Sequence, residues 1–181
     1  MDYGMTFYPL SAASEADIAW FHDLYDSAFP DFEQRTRTGR DAILRDCPQY
    51  QARIFHDGGE RAGILGGWQL GEWYYIEHFA VDASRRGQGT GKRAMAAIAA
   101  RYGQVLLEID PPVDAIARRR LAFYQGCGFV ANPFAHRHPS YKAQYAPHEL
   151  VVLSYPRALA SEEYQRFNEG LCREVMAEGR L

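Results

Sequence analysis

Val81-Asp82-Ala83-Ser84-Arg85-Arg86-Gly87-Gln88-Gly89-Thr90-Gly91-Lys92 sits between two segments of opposite periodicity. Before it, Trp73-Tyr74-Tyr75-Ile76-Glu77-His78-Phe79-Ala80-Val81 is a run of strand formers. After it, Met95, Ile98, Ala99 and Tyr102 recur at helical spacing. The glycines therefore fall on a strand-to-helix turn. There the first amides of the helix lack partners, the helix dipole presents its positive end, and missing Cβ atoms let an anion approach the main chain. Such a turn can cradle a phosphate or pyrophosphate.

Two common cradles do not fit. A Walker loop needs a glycine ahead of Gly91-Lys92 and a hydroxyl residue after it, where this chain has Arg86 and Arg93. A dinucleotide turn counted from Gly87 needs a glycine where Lys92 stands. What remains, Arg86-x-x-Gly89-x-Gly91 after a hydrophobic strand, resembles the acyl-CoA loop of the GNAT superfamily of N-acetyltransferases. A second stretch, Leu121-Ala122-Phe123-Tyr124-Gln125-Gly126-Cys127-Gly128-Phe129, is similar to that superfamily's late-helix motif Phe/Leu-Tyr-x-x-x-Gly-Phe. It follows the glycine loop by one strand and one helix, the order the family requires. In one departure, Ala117 stands where many members carry an Asn that touches the cofactor.

Composition narrows the partners. The chain of 181 residues suits one domain, taken as 1–181, and a chain of this size buries roughly 70% of its unfolded surface. It is 47% hydrophobic and 24% charged with a formal charge of -3, so the basic excess that nucleic-acid binding usually needs is lacking. No apolar run approaches the roughly 20 residues of a membrane span, and Met1-Asp2-Tyr3-Gly4 has no basic region before an apolar stretch. A cytoplasmic protein without nucleic-acid or membrane partners is expected. Cys47, Cys127 and Cys172 match no metal or disulfide framework and are expected to be reduced thiols.

The periodicity predicts a strand at Met5 to Pro9, a helix from Ser14 to about Phe29, and a second helix from Thr38 to Cys47 ahead of Pro48. Strands follow at Tyr50 to His56 and Arg61 to Leu70 around the turn Asp57-Gly58-Gly59-Glu60. Beyond the opening strand come a helix from Gly91 to Tyr102, a strand at Val105 to Ile109, and a helix from about Asp114 to Gly126 or Gly128. Phe129 to Ala131 and Leu150 to Leu153 read as strands, with an irregular connection from Asn132 to Glu149. An amphipathic helix from Ser161 to Glu178 carries Tyr164, Phe167, Leu171 and Val175 in register, to dock on the body or on a second subunit. Strand, helix and buried strand make a right-handed parallel crossover, and ligands tend to bind at the carboxyl end of such a pair. With the resemblance, the expected fold is α/β: a mixed central sheet splayed between two parallel strands, with helices on both faces.

The resemblance implies transfer of an acetyl group from acetyl-CoA, as co-substrate, to a primary amine of a small molecule or peptide, by direct attack on the thioester and without a metal. It points to Tyr124 as the acid that protonates the leaving sulfur. It also points to main-chain amides at Phe79, Ala80 and Val81 for the oxyanion and the pantetheine arm. Backbone amides from Arg86, Gly87, Gln88, Gly89, Thr90 and Gly91 would meet the phosphates, with Arg86 and Lys92 adding charge. For the base, strand alternation puts Tyr75, Glu77, Phe79 and Val81 on one face unless a bulge intervenes. Glu77 would then stand among apolar neighbours, its carboxyl pKa raised so long as no cation pairs with it. Glu108 and Asp110 on the next strand are alternatives, as is a structural ion pair at Glu77. His78, on the opposite face to Glu77, is expected to be packed. His136, His138 and His148 fall in the long connection, where no carboxylate completes a metal-ligand set in sequence and a loop or substrate lid is expected. The segment Phe29 to Arg35 is expected to border the acceptor. A non-catalytic acyl-CoA-binding module is the rival, since it needs neither Tyr124 nor Glu77.

Overall fold

The computed structural model describes residues 4–177. Its strands are β1 (Met5–Pro9), β2 (Tyr50–Asp57), β3 (Glu60–Leu70), β4 (Trp73–Val81), β5 (Val105–Ile109), β6 (Val130–Ala131), β7 (His136–His138) and β8 (His148–Tyr155). Its helices are α1 (Glu15–Ala28), α2 (Arg37–Asp46), α3 (Thr90–Tyr102), α4 (Ala115–Gly126) and α5 (Ser161–Gly170). The sheet runs β1-β2-β3-β4-β5-β8-β6, with β7 paired to β8. The first four strands are antiparallel, β4 and β5 are parallel, and β8 returns antiparallel to β5. This is the expected mixed α/β sheet with helices on both faces.

Local chemistry sets the boundaries. Ser14 accepts a hydrogen bond from the Asp17 amide at 3.2 Å, and Asp114 accepts from the Ala117 amide at 2.8 Å, so α1 and α4 begin where a side-chain oxygen meets free amides. The second helix begins earlier than expected because the Thr36 hydroxyl accepts from Gly39 N at 3.0 Å and caps it. The connection expected to be irregular contains β7, whose three residues borrow the edge of β8: His136 faces Leu150 and His138 faces His148. So short a strand has too few residues to show its period in sequence.

On one face of the sheet α1 packs Phe21, Leu24 and Tyr25 over Ala52, Ile54, Ile64 and Ala80. On the same face α2 and α5 bring Ile43 and Phe167 against Trp68, Tyr75, Leu106 and Val152. On the other face α3 and α4 cover Leu65, Tyr74, Ile76, Leu107 and Ile109 with Met95, Ile98, Leu121 and Tyr124. The C-terminal element docks on the chain's own body, though not as one helix: α5 ends at Gly170 and Leu171–Val175 continues as a π-helical turn. The expected last residue, Glu178, lies outside the described residues.

Candidate active site

The cleft begins where the parallel pairing stops. β4 and β5 are in register only at Tyr74 with Val105 and Tyr75 with Leu106, so the remaining part of each strand diverges from the other. A cavity of about 1010 Å³ fills the divergence, and Phe79, Ala80 and Val81 line it along the unpaired edge of β4. An unpaired strand edge is where an extended ligand can add its own main-chain hydrogen bonds.

At one end the cavity meets the glycine turn. Gly87 and Gly89 have φ of 76° and 75°, a conformation that side chains with a Cβ pay roughly 1–2 kcal/mol to adopt. Gly89 is the cap of α3, so the turn aims the free amides of that helix at the cavity. Arg86, Gly87, Gly89, Thr90, Gly91 and Lys92 line it; Gln88 does not, and its side-chain amide instead donates to Ser84 O at 3.2 Å. The loop is pinned from behind by Asp57, which accepts from Arg93 Nη2 at 2.5 Å and from the Thr90 hydroxyl at 3.2 Å. Positive side chains, free amides and missing Cβ atoms together fit the pyrophosphate of an acyl-CoA.

Tyr124 on α4 lines the same cavity, half-buried, with its ring edge-on to Phe129 at 5.7 Å. Its hydroxyl has no hydrogen-bond partner among the described residues. Burial pushes the phenol up to about 12, so the group keeps its proton at neutral pH and can only give it away. Ala117, at the position where many family members carry an Asn, is buried, and of the neighbouring arginines only Arg120 reaches the cavity wall.

Glu77 differs from its expected state. Between Gly66 opposite His78 and Gly67 opposite Ile76, one residue of β4 has no partner, and that residue is Glu77. The bulge turns Glu77 and His78 to the same face, with Tyr75, and sends Phe79 and Val81 to the other. A cation does pair with the carboxylate: Arg35 Nη2 lies 2.8 Å and Nε 2.9 Å from Oε2, Trp68 Nε1 donates to Oε1 at 2.9 Å, and Tyr141 OH donates to Oε2 at 2.7 Å. Burial alone would raise this carboxyl, but Arg35, His78 and the two side-chain donors outweigh it and hold it at about 2. The expected rise is reversed, and the arrangement is that of a structural ion pair, ill suited to a base. His78, expected on the opposite face to Glu77, shares its face because of the bulge, but it is packed as expected, its Nε2 donating to Glu33 O at 2.8 Å.

The other carboxylates divide into two groups. Glu108 lines the cleft with a nearly buried side chain, accepting from the Tyr75 hydroxyl and from His136 Nε2, the latter at 2.5 Å. Burial would raise it, but His138, His136 and Tyr75 together lower it. Glu33, Asp110 and His148 form an acidic corner whose ligand-type atoms lie within 4.8 Å of one another, with Asp110 bonded to His148 at 3.0 Å. Burial and the Asp110 charge raise Glu33. The fold thus brings to His148 the carboxylates of Glu33 and Asp110, both distant from it in sequence.

The description Acetyltransferase (GNAT) family matches residues 19–129, more than half of the chain. The chain belongs to the GNAT acetyltransferase family. A provisionally named acetyltransferase of Bacillus subtilis, YjbC, is 26% identical over 108 residues, which are 59% of this chain and 54% of that protein; the match thus spans about half the length of that relative. Among solved structures, a provisionally assigned GNAT-family acetyltransferase of Bacteroides thetaiotaomicron superposes with a TM-score of 0.88 at 24% identity, over 95% of this chain and 98% of that one. A Bacillus subtilis acetyltransferase solved in complex with CoA superposes with a TM-score of 0.53 at 15% identity, over 83% and 97%.

Within this GNAT fold one cavity is lined by Tyr124, the β4 edge, Glu77 and the glycine turn apart from Gln88. Three neighbours on the acceptor side have no signal in sequence, Glu33, Arg35 as a buried cation and Tyr141, while His138 is marked there only as part of the long connection. Arg35 and Glu33 lie inside the segment expected to border the acceptor. Among the described residues, no helix is long and apolar enough to cross a membrane.

Proposed function

We propose that this GNAT-family chain transfers an acetyl group from acetyl-CoA to a primary amine, with no covalent enzyme intermediate. The observation that carries the proposal is a single cavity holding both the anion cradle at Gly87 and Gly89 and the proton-bearing Tyr124. Acetyl-CoA supplies an activated thioester carbonyl. The unpaired edge at Phe79 to Val81 would hold the pantetheine arm and donate to the carbonyl oxygen, where preorganised amides stabilise developing charge. Tyr124 would protonate the departing sulfur, a role for which a phenol that stays protonated is suited.

The acidic corner of Glu33 and Asp110, with Phe29 and Phe32 beside it, supports an acceptor that is cationic and partly apolar. Lys142 and Tyr145 both bond to Asp31, so the two acceptor-side segments are tied to each other. The test is thiol release from acetyl-CoA with a panel of polyamines, amino acids, aminoglycosides and peptides. Turnover with one cationic class is expected. Tight CoA binding with no thiol release for any amine, and no change on Tyr124→Phe, would favour the non-catalytic binding module instead.

A further inference from the structure

The transferase assignment leaves a base to be found, because an amine must lose a proton to attack and Glu77 is committed to Arg35. Glu108 has both carboxylate oxygens occupied by Tyr75 and His136, and Asp110 is bonded to His148 and lies 3.5 Å from Arg120. We propose that His138 is the general base of the transfer, accepting the amine's proton at Nε2. The proposal rests on the transferase assignment and names the residue that it lacks.

Hydrogen-bond chemistry fixes the tautomer. His138 Nδ1 lies 2.7 Å from Pro139 O, and a carbonyl oxygen can only accept, so Nδ1 carries the proton. In the neutral ring Nε2 is then a bare lone pair. Tyr141 OH lies 3.5 Å from it, but that hydroxyl has one hydrogen and gives it to Glu77 Oε2 at 2.7 Å. Nothing donates to Nε2 among the described residues. The residue is 5% exposed and lines the cavity that Tyr124 also lines.

In β7, alternation turns His136 and His138 inward and leaves Arg137 outside. Glu108, whose carboxyl is lowered partly by His138, lines the same cavity. Glu77 therefore acts at one remove, by holding the Tyr141 hydrogen away from Nε2.

The proton count closes. An ammonium acceptor gives one proton to Nε2 and becomes a nucleophilic amine. A C–N bond forms to the acetyl carbon and the C–S bond breaks, with the sulfur taking the Tyr124 proton. The second proton of the new amide nitrogen leaves to water and the phenoxide is reprotonated from water. His138 returns its proton to solvent, so that ammonium and thioester become amide, thiol and one proton.

His138→Asn and His138→Ala separate this role from packing. The Asn amide reaches the Nδ1 position and can still donate to Pro139 O, but places nothing at Nε2. With the amine identified by the panel, His138→Asn is expected to lower kcat/KM by about 10²- to 10⁴-fold while the Kd for CoA is unchanged. His138→Ala is expected to recover activity with added imidazole, which a packing role would not allow, and Tyr124→Phe is not. In the wild type, imidazole ¹⁵N shifts should show the Nδ1-protonated tautomer, a reading independent of whether the variants fold. Turnover in His138→Asn within about threefold of wild type, absence of imidazole rescue, or the opposite tautomer would each overturn the assignment. A wild type that binds CoA and acetylates no amine would instead overturn the transferase assignment beneath it.

Discussion

Glu77 and Arg35 form an ion pair in which the side chains are 0% and 1% exposed. Arg35 comes from the turn between α1 and α2, and Glu77 is the bulged residue of β4. Through the same guanidinium Nη2 donates to Val175 O at 2.8 Å, satisfying a carbonyl in the π-helical turn, and through the same carboxylate Tyr141 is held in the β7–β8 connection. One charge pair thus ties four segments distant in sequence around the acceptor side of the cleft.

Removing one member of this pair should destabilise the fold more than removing both. A lone buried charge costs about 3–5 kcal/mol, whereas replacing a buried pair by apolar groups of similar volume is often near neutral. Glu77→Gln and Arg35→Met are each expected to lower the urea midpoint sharply, and Glu77→Gln/Arg35→Met to recover much of the loss. If each single variant unfolds at the wild-type midpoint, the pair contributes nothing and this account fails.

The pair also fixes a dependence on acid. Glu77 sits at about 2 in the folded state against 4.5 ordinarily, so its contribution is complete above about 4.5 and is lost as the pH falls toward about 2. The stability gap between wild type and Glu77→Gln should therefore be constant near neutrality and close over that acidic window. Urea titrations at a series of pH values measure it, and a gap that persists unchanged to the acid end would contradict the lowered carboxyl.

Much of this architecture was legible because its parts announce themselves locally. The glycine turn, the flanking strand and helix, and Tyr124 in its motif each depend on neighbours within a few residues. The ion pair does not. Arg35 and Glu77 are 42 positions apart, and nothing in either flank marks Arg35 as buried. The bulge is likewise invisible, because it arises from the pairing of β4 with β3 at Gly66 and Gly67, where a Cβ would collide with the Tyr50 and Tyr74 hydroxyls at 2.7 and 2.2 Å. One extra residue there reverses which side chains share a face, and so undid the strict alternation that put Glu77 beside Phe79.

Tyr124→Phe should separate chemistry from binding. The ring packs on Phe129 and needs no hydrogen bond, so the variant should fold and bind CoA as the wild type does. Loss of the acid is expected to lower kcat by about 10²-fold or more. Because the phenol lies at about 12, Tyr124 should not produce the basic limb of a pH–rate profile below about pH 9. Full activity in Tyr124→Phe would remove Tyr124 from the mechanism.

The glycine turn offers the sharpest contrast, between Gly89→Ala and Gly91→Ala. At Gly89 the backbone has φ of 75°, and a Cβ would also stand 3.2 Å from Arg93 Nη1, the group that bonds to Gln88 O across the turn. Alanine there must either adopt the left-handed conformation, at roughly 1–2 kcal/mol, or move the turn away from the start of α3. Gly91 has no such constraint, and its Cβ would make ordinary contacts of 3.5 Å with Phe123 and Val81. Gly89→Ala is therefore expected to lower both the melting temperature and CoA affinity, whereas Gly91→Ala should leave the melting temperature unchanged. If Gly91→Ala nonetheless weakens CoA, measured by calorimetry, the added methyl is obstructing close approach to the main chain itself. If neither substitution changes CoA binding, the phosphates do not lie on this turn.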